Sequence, residues 1–383
     1  MYEGKTVAVV VPAYNEGGFV GEVIETVPAF VDRVYAVDDG SSDGTWDEIQ
    51  RAAEYENNRL TRPLTPSPSP DGGAVFEPRV VAIRHEDNRG VGAAIKTGYR
   101  RAIDDGIDIV AVMNGDGQMD PAILDRIVDP VVSGTADYAK GNRLSEPADR
   151  HTMSGWRLFG NFLLTGLTRI ASGYWGMTDP QNGYTAISRE ALEIIDVDAL
   201  HAHYGFCNDV LVRLNAADLR VADVPMEAVY GDEDSHIRYS SFVPGLSWLL
   251  FRDLCWRLHR SYGPTHSVPA LYLLGTVATA AGALATWWQA LSALAQWSPV
   301  VALAAVSGKL AEAVGFDGLA GSPGWAPTAG VDVSSFLSSI PGTTPGSLVD
   351  TVAAVGTLAL GLVALVLAAL RDREHNEDKE VDP

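Results

Sequence analysis

Six short stretches of this chain carry residue types and spacings that can do chemistry. Asn114-Gly115-Asp116-Gly117-Gln118 is the sharpest. A carboxylate between two amides supplies hard oxygen donors, and the two glycines let a ligand approach closely. Mg²⁺ or Mn²⁺ takes one or two such carboxylates and leaves its other positions to phosphates and water. Pro12-Ala13-Tyr14-Asn15-Glu16 offers a ring for stacking and a carboxylate for hydrogen bonds, although a strand-to-helix turn capped by Asn15 uses the same residues. Asp38-Asp39-Gly40-Ser41-Ser42-Asp43-Gly44-Thr45 presents paired carboxylates that can accept from a nucleobase N–H or ribose hydroxyls, or else cap a tight turn. Asn88-Arg89-Gly90-Val91-Gly92 fails the GxGxxG dinucleotide pattern because position 95 is Ile95. Its glycines suit either backbone approach to a ligand or tight packing. Lys140-Gly141-Asn142-Arg143 and Asp179-Pro180-Gln181-Asn182-Gly183-Tyr184 have bland readings as loop chemistry joined by a surface salt bridge.

The elements that must carry these stretches are legible up to about residue 235. Strands are expected at Thr6–Val11, Val34–Asp38, Arg79–Arg84, Ile107–Met113 and Asp137–Asn142, with Pro12 ending the first. Helical patterns fill Gly18–Val27, Gly44–Glu54, Val91–Asp105 and Pro121–Val132. Strands alternating with crossover helices imply an α/β fold with a doubly wound, mostly parallel sheet. Such sheets bind ligands beyond the carboxyl ends of their strands, where four of the polar stretches fall. The Pro/Ser/Gly-rich segment 59–78 reads as a flexible surface insertion.

The character changes after residue 240. Residues 241–263 mix Trp248, Phe251 and Trp256 with Arg252, Arg257 and Arg260, which predicts amphipathic helix lying in a membrane interface. Residues 264–383 read as a membrane region with two spans and a charged tail. Val268–Trp288 has no charge over 21 residues, about 31 Å of helix at about 1.5 Å per residue. Thr351–Leu370 is a second uncharged run. Arginines before the first and after the second put both ends in the cytoplasm and the Gln289–Val349 loop outside, with Val300–Val306 resting on the membrane. The expectation is a multi-pass cell-membrane protein whose catalytic domain, residues 1–240, faces the cytoplasm.

Lys+Arg 28 against Asp+Glu 49 gives a net charge of −21. That balance excludes a nucleic-acid binder, which needs a basic footprint. Cys207 and Cys255 cannot build a disulfide framework. Only Lys5, Lys96, Lys140, Lys309 and Lys379 stand among the carboxylates. An acid-rich, lysine-poor surface suits concentrated salt, where screening removes self-repulsion, so a halophilic source is expected.

PAYNE, DDGSSDGT, NRGVGAA and NGDGQMDP, in this order, resemble the family 2 glycosyltransferases of the GT-A, nucleotide-diphospho-sugar transferase fold. The likeness covers about residues 5–240 and is nearest to dolichyl-phosphate mannose and glucose synthases. It implies that Pro12, Tyr14, Glu16 and Asp39 line a nucleotide-sugar donor, with Asp38, Lys96 and Asn114 further donor-side candidates. It also implies that Asp116 and Gln118, with Asn114, hold Mg²⁺ or Mn²⁺ on the diphosphate. The family usually has an aspartate where Asn114 stands. The Lys140–Arg143 segment resembles a Gly-Ser-Arg segment, and Asp179–Tyr184 resembles an acceptor-side Asp-x-x-Ser-Gly-Phe segment. Catalytic roles for Asp116, Arg143 and Asp179 follow from the likeness. Arg143, Arg157, Gln181, Ser235 and Arg238 become candidates for the phosphate of a polyprenyl (dolichyl) acceptor. Tyr230–Ile237 matches less well, with Ser235-His236 where the synthases carry Ser-Lys.

The function expected is hexose transfer from a UDP-glucose or GDP-mannose type donor to a polyprenyl phosphate, with inversion, for glycan assembly such as protein N-glycosylation. Two alternatives stand beside it. One is a non-catalytic, membrane-anchored nucleotide-sugar-binding subunit. The other is a processive polysaccharide synthase, disfavoured because no Gln-x-x-Arg-Trp segment is present. The charge balance predicts that dilution from molar to tenth-molar salt unfolds the chain cooperatively, measured by circular dichroism. A fold insensitive to that dilution would contradict the halophilic reading.

Overall fold

Strands buried on both faces of a sheet need continuous runs of β-branched residues, and Val7–Val11 is such a run. The computed structural model describes residues 1–61, 78–144, 155–227, 239–263, 266–314 and 345–383. In chain order it places β1 (Val7–Ala13), α1 (Val20–Thr26), β2 (Arg33–Asp38), α2 (Thr45–Thr61), β3 (Val80–Arg84), α3 (Val91–Asp104) and β4 (Ile109–Val112). Then follow α4 (Leu124–Val132), β5 (Tyr138–Asn142), α5 (Gly155–Ser172), β6 (Thr185–Ser188), α6 (Arg189–Ile194), α7 (Phe206–Ala216) and β7 (Val221–Pro225). The chain closes with α8 (Tyr239–Tyr262), α9 (Ser267–Val314), α10 (Pro345–Asn376) and β8 (Glu380–Val381).

The sheet runs β3-β2-β1-β4-β6-β5-β7-β8. Among the described strands β6 alone is antiparallel to its neighbours. The chain therefore moves outward from β1 to β3, then returns to build β4 on the other side of β1. That reversal makes the β1/β4 crevice the topological switch point. The carboxyl ends of the parallel strands share one edge, joined there by the entry into β6. Alternation along β1 serves both layers: Val7, Val9 and Val11 pack with Val20, Ile49 and Ile127, whereas Ala8 and Val10 pack with Ile95, Tyr99 and Leu211.

Pro12 does not end β1, which continues to Ala13. The ladder with β4 stops at Val10–Val112, so no donor is demanded of the proline on that side. The helix α2 runs to Thr61, past the expected start of the insertion, and residues 62–77 lie outside the described residues. The predicted loop after Gln289 is also helical as far as Val314, where alanine and leucine recur between residues 290 and 305.

Two compact units divide the chain: residues 1–263 with 372–383, and residues 264–371. The tail is thus not an extension of the membrane region, because β8 pairs with β7 in the first unit. In the second unit, Ser267–Ser292 and the apolar part of α10 are each long and apolar enough to cross a membrane. They pack closely at small residues: a β-carbon on Gly361 would lie 2.6 Å from Thr279 Oγ1, and one on Gly275 2.7 Å from Leu365 Cγ.

The reading of residues 241–263 as purely interfacial needs correction. Leu246, Leu249 and Leu250 of α8 pack on Ala171 and Val212 of the first unit, leaving Trp248 and Phe251 exposed. Arg257, expected on a basic face, is 0% exposed. Its guanidinium donates to both carboxylate oxygens of Asp372 at 2.9 and 2.8 Å and to the carbonyls of Ala171 and Ile170. Tyr262 Oη adds a 2.6 Å bond to Asp372. Arg257→Met would leave Asp372 buried without its cation. The expected loss is about 3–5 kcal/mol, read by thermal unfolding. An unchanged transition would show that the pair does not hold the tail.

Candidate active site

The loop after β4 lies directly on the loop after β1. Gly115 N donates to Pro12 O at 3.1 Å, and a β-carbon at Gly115 would stand 3.1 Å from that oxygen. Gly117 takes φ +73°, a left-handed turn suited to glycine. The turn aims Gln118 N at Asp116 Oδ1, 3.0 Å away, and the Asn114 side chain also bonds to Asp116. Burial nevertheless wins and pushes the Asp116 carboxyl above its ordinary range. Among the described residues no lysine, arginine or histidine pairs with it. One carboxylate with amide oxygens nearby fits a hard divalent ion. Among the described residues no three His, Cys, Asp or Glu side chains cluster as ligands, so such an ion needs oxygens from its substrate.

Beside this carboxylate, the β1 and β2 loops are stapled together. Asn15 N donates to Ser41 Oγ at 2.9 Å, Glu16 N to Thr45 Oγ1 at 2.8 Å, and Ser42 N to Asn15 Oδ1 at 3.0 Å. Pro12 is buried, Glu16 half-buried, and the Tyr14 ring is exposed at the edge. Three expectations change here. Asp38 is fully buried, capping Ser41 N at 3.0 Å and facing Arg84 Nε at 3.1 Å, so it shapes the loop rather than meeting a base. Asp39 is also buried, and its oxygens receive His85 Nδ1 (2.7 Å), Gly90 N (2.7 Å) and Arg89 N. It ties the β2 end to residues 85–90. Lys96 Nζ donates to the carbonyls of Asp198 and Leu200, both at 2.8 Å, and so braces a remote loop. Gly90 and Gly92 are small because Ala202, His203 and Phe206 press on them, which settles their role as packing.

The third part of the edge lies at the end of β5 and the entry to β6. Arg143 Nε donates to Asp179 Oδ2 at 2.8 Å, Nη2 to Oδ1 at 3.2 Å, and Arg143 N to Oδ2 at 3.2 Å. Burial opposes ionisation of Asp179, but the Arg143 bonds and charge, with Lys140 nearby, hold its carboxyl below the usual range. Lys140, 1% exposed, pairs with Asp223 and donates to Asp179 O at 2.8 Å. Gln181 is half-buried, and among the described residues its buried Nε2 has no partner. Gly183 packs against the Asn114 amide, 3.6 Å from where a β-carbon would stand, which joins this part to the Asp116 loop. Tyr184 Oη reinforces the joint through Asp120 O at 2.9 Å. The Arg157 side chain, and Ser235, His236 and Arg238, lie outside the described residues. Asp223 was missed because β7 was not expected; the alternation Val221-Ala222-Asp223-Val224 was its available signal.

Residues 8–195 match the profile described as Glycosyl transferase family 2. The chain is 28% identical over 227 residues to a UDP-N-acetylglucosamine–dolichyl-phosphate N-acetylglucosaminyltransferase of Methanococcus voltae, covering 59% of this chain and 86% of that protein. It is 27% identical over 239 residues to an undecaprenyl-phosphate mannosyltransferase of Micrococcus luteus, covering 58% and 83%. Among solved structures, glucosyl-3-phosphoglycerate synthase of Mycobacterium tuberculosis, in complex with Mn²⁺ and UDP, aligns with a TM-score of 0.45 at 19% identity, covering 66% and 80%.

The raised Asp116 carboxyl has a consequence for stability. Its charged form costs more in the folded chain than in the unfolded one, so its contribution is fully present below the unfolded pKa and is lost as pH rises through the folded value. Asp116→Asn should therefore raise the melting temperature of the metal-free chain by a few degrees at neutral pH and leave it unchanged in acid. Destabilisation at neutral pH would show that the carboxylate is satisfied within the protein.

Proposed function

Because this chain belongs to glycosyltransferase family 2, we propose that it moves a hexose from a nucleotide sugar to the phosphate of a membrane-embedded polyprenol. The observation that carries this reading is one sheet edge with two unlike halves. A half-buried carboxylate that no cation among the described residues pairs with, Asp116, stands at the switch point, and an arginine–aspartate pair, Arg143–Asp179, stands on the adjoining loops. The first suits a metal-bound diphosphate, the second a phosphate nucleophile.

Asp116 would hold Mg²⁺ or Mn²⁺, with Gln118 and Asn114 as oxygen donors beside it. When bound, the ion neutralises charge on the departing nucleoside diphosphate. The protein supplies the rest. Pro12 and Glu16 wall the donor crevice, and the exposed Tyr14 ring gives the base a stacking surface. Arg143 meets the acceptor phosphate with its guanidinium oriented by Asp179, and the Gln181 amide supplies a further donor. The phosphate oxyanion attacks the anomeric carbon as the bond to the diphosphate oxygen breaks. A phosphate ester is already ionised at neutral pH, so no side chain need remove a proton. The apolar helices of the second unit would cross the bilayer and keep the catalytic unit at its cytoplasmic surface, where the polyprenyl headgroup lies. Relatives named as dolichyl- and undecaprenyl-phosphate transferases support this acceptor class.

The test uses purified full chain, polyprenyl phosphate, Mn²⁺ or Mg²⁺ and labelled UDP-glucose, GDP-mannose and UDP-N-acetylglucosamine in parallel. A labelled lipid should form with one donor. Asp116→Ala should cut its rate by at least about 10²–10³-fold while the fold persists. Nucleotide binding without lipid product would instead favour the non-catalytic subunit, a reading that Asn114 in place of a second acid motivates.

A further inference from the structure

Asp179 sits in a segment with no regular secondary structure between α5 and β6, so side chains must fix its position. Part of that hold comes from the far end of the chain. After α10 the tail returns to the first unit, where β8 adds to the sheet with Glu380 opposite Val221 and Val381 opposite Ala222. Glu380 Oε1 accepts the N–H of Gly176 at 2.8 Å, and the Trp175 backbone also bonds to this carboxylate. Asp372 Oδ2 accepts from Trp175 Nε1 at 3.3 Å. Lys379 fastens the same tail to Asn215 O at 3.2 Å and to Asp218 at 2.6 Å.

The segment is then held in sequence. The tail grips Trp175 and Gly176, and Asp223 accepts from Thr178 N at 3.2 Å and Thr178 Oγ1 at 3.1 Å. Lys140 takes the carbonyl of Asp179, whose carboxylate orients Arg143. Three successive fastenings place one carboxylate, and the first is built from residues beyond the second apolar helix.

We infer that Glu380 is a positioning residue for the Asp179–Arg143 pair, so that the C-terminal tail is part of the acceptor side of the site. This rests on the reading that the pair meets the acceptor phosphate. Glu380 touches no reacting atom. It acts by fixing where the 175–179 segment begins, and through it the direction of the Arg143 guanidinium.

The experiment compares the full chain in nanodiscs with Glu380→Ala and Glu380→Gln. Amide hydrogen exchange over residues 175–179 is measured without substrate, and KM is measured for undecaprenyl phosphate and for the nucleotide sugar. Glu380→Ala should speed exchange in that segment and raise the acceptor KM about tenfold, with the donor KM changed by less than about twofold. Glu380→Gln keeps an oxygen for the Gly176 N–H and should restore both readouts. Unchanged exchange, or faster exchange with both KM values unmoved, would overturn the inference. So would a matching loss in kcat and both KM values, which marks general destabilisation. The exchange arm needs no substrate. A wild-type chain that makes no lipid product therefore counts against the proposed acceptor, and unchanged exchange counts against the tail.

Discussion

A carboxylate half-buried in a crevice is held at a cost when no described cation pairs with it, and the fold holds Asp116 in that condition. Everything around it serves that placement. The buried β4 delivers the loop to the switch point, Gly115 lets it close on β1, and Gly117 turns its amides onto the carboxylate. Asn114 softens the cost by bonding to Asp116 where a second acid would repel it. A site built this way favours a partner that brings its own positive charge and further oxygens, which describes a divalent ion on a diphosphate.

The proposed acceptor side follows the opposite electrostatic plan. Lys140 and Arg143 alternate with Asp223 and Asp179 in one nearly neutral network, in which Lys140 and Asp179 are buried and Arg143 reaches the surface. Removing Asp223 or Arg143 from this network is expensive because it leaves the buried Lys140 or Asp179 without its main partner. Its rigidity suits a phosphate, which is recognised by direction as well as charge. The two plans meet where Gly183 packs on Asn114, so the fold brings the two halves of the site together at that joint.

Much of this was readable in the chain itself. Parallel strands announce themselves as apolar runs, and β1 to β4 were placed within a few residues for that reason. The polar loops after them were found because Gly, Asp and Asn cluster where strands stop. Long-range partnership was not readable. Asp38 and Asp39 were visible as acids, but Arg84, His85 and Gly90, which occupy them, stand more than forty residues away. Lys96 gave no sign that carbonyls of 198 and 200 would claim it. The strands β6 and β7 are only four and five residues long, and β8, of two residues, exists only because the tail returns to pair with β7. Arg257 looked like a headgroup contact because its partner Asp372 is supplied by the last turns of α10, more than a hundred residues away.

On this reading Asp116 grips a divalent ion together with a nucleoside diphosphate. Electron paramagnetic resonance of Mn²⁺ titrated into the full chain, with and without UDP or GDP, tests it most directly. The account predicts a protein-bound signal that needs the nucleotide, saturates near one ion per chain, and disappears in Asp116→Asn. A bound signal that survives that substitution, or none in the wild type at saturating nucleotide, would contradict it.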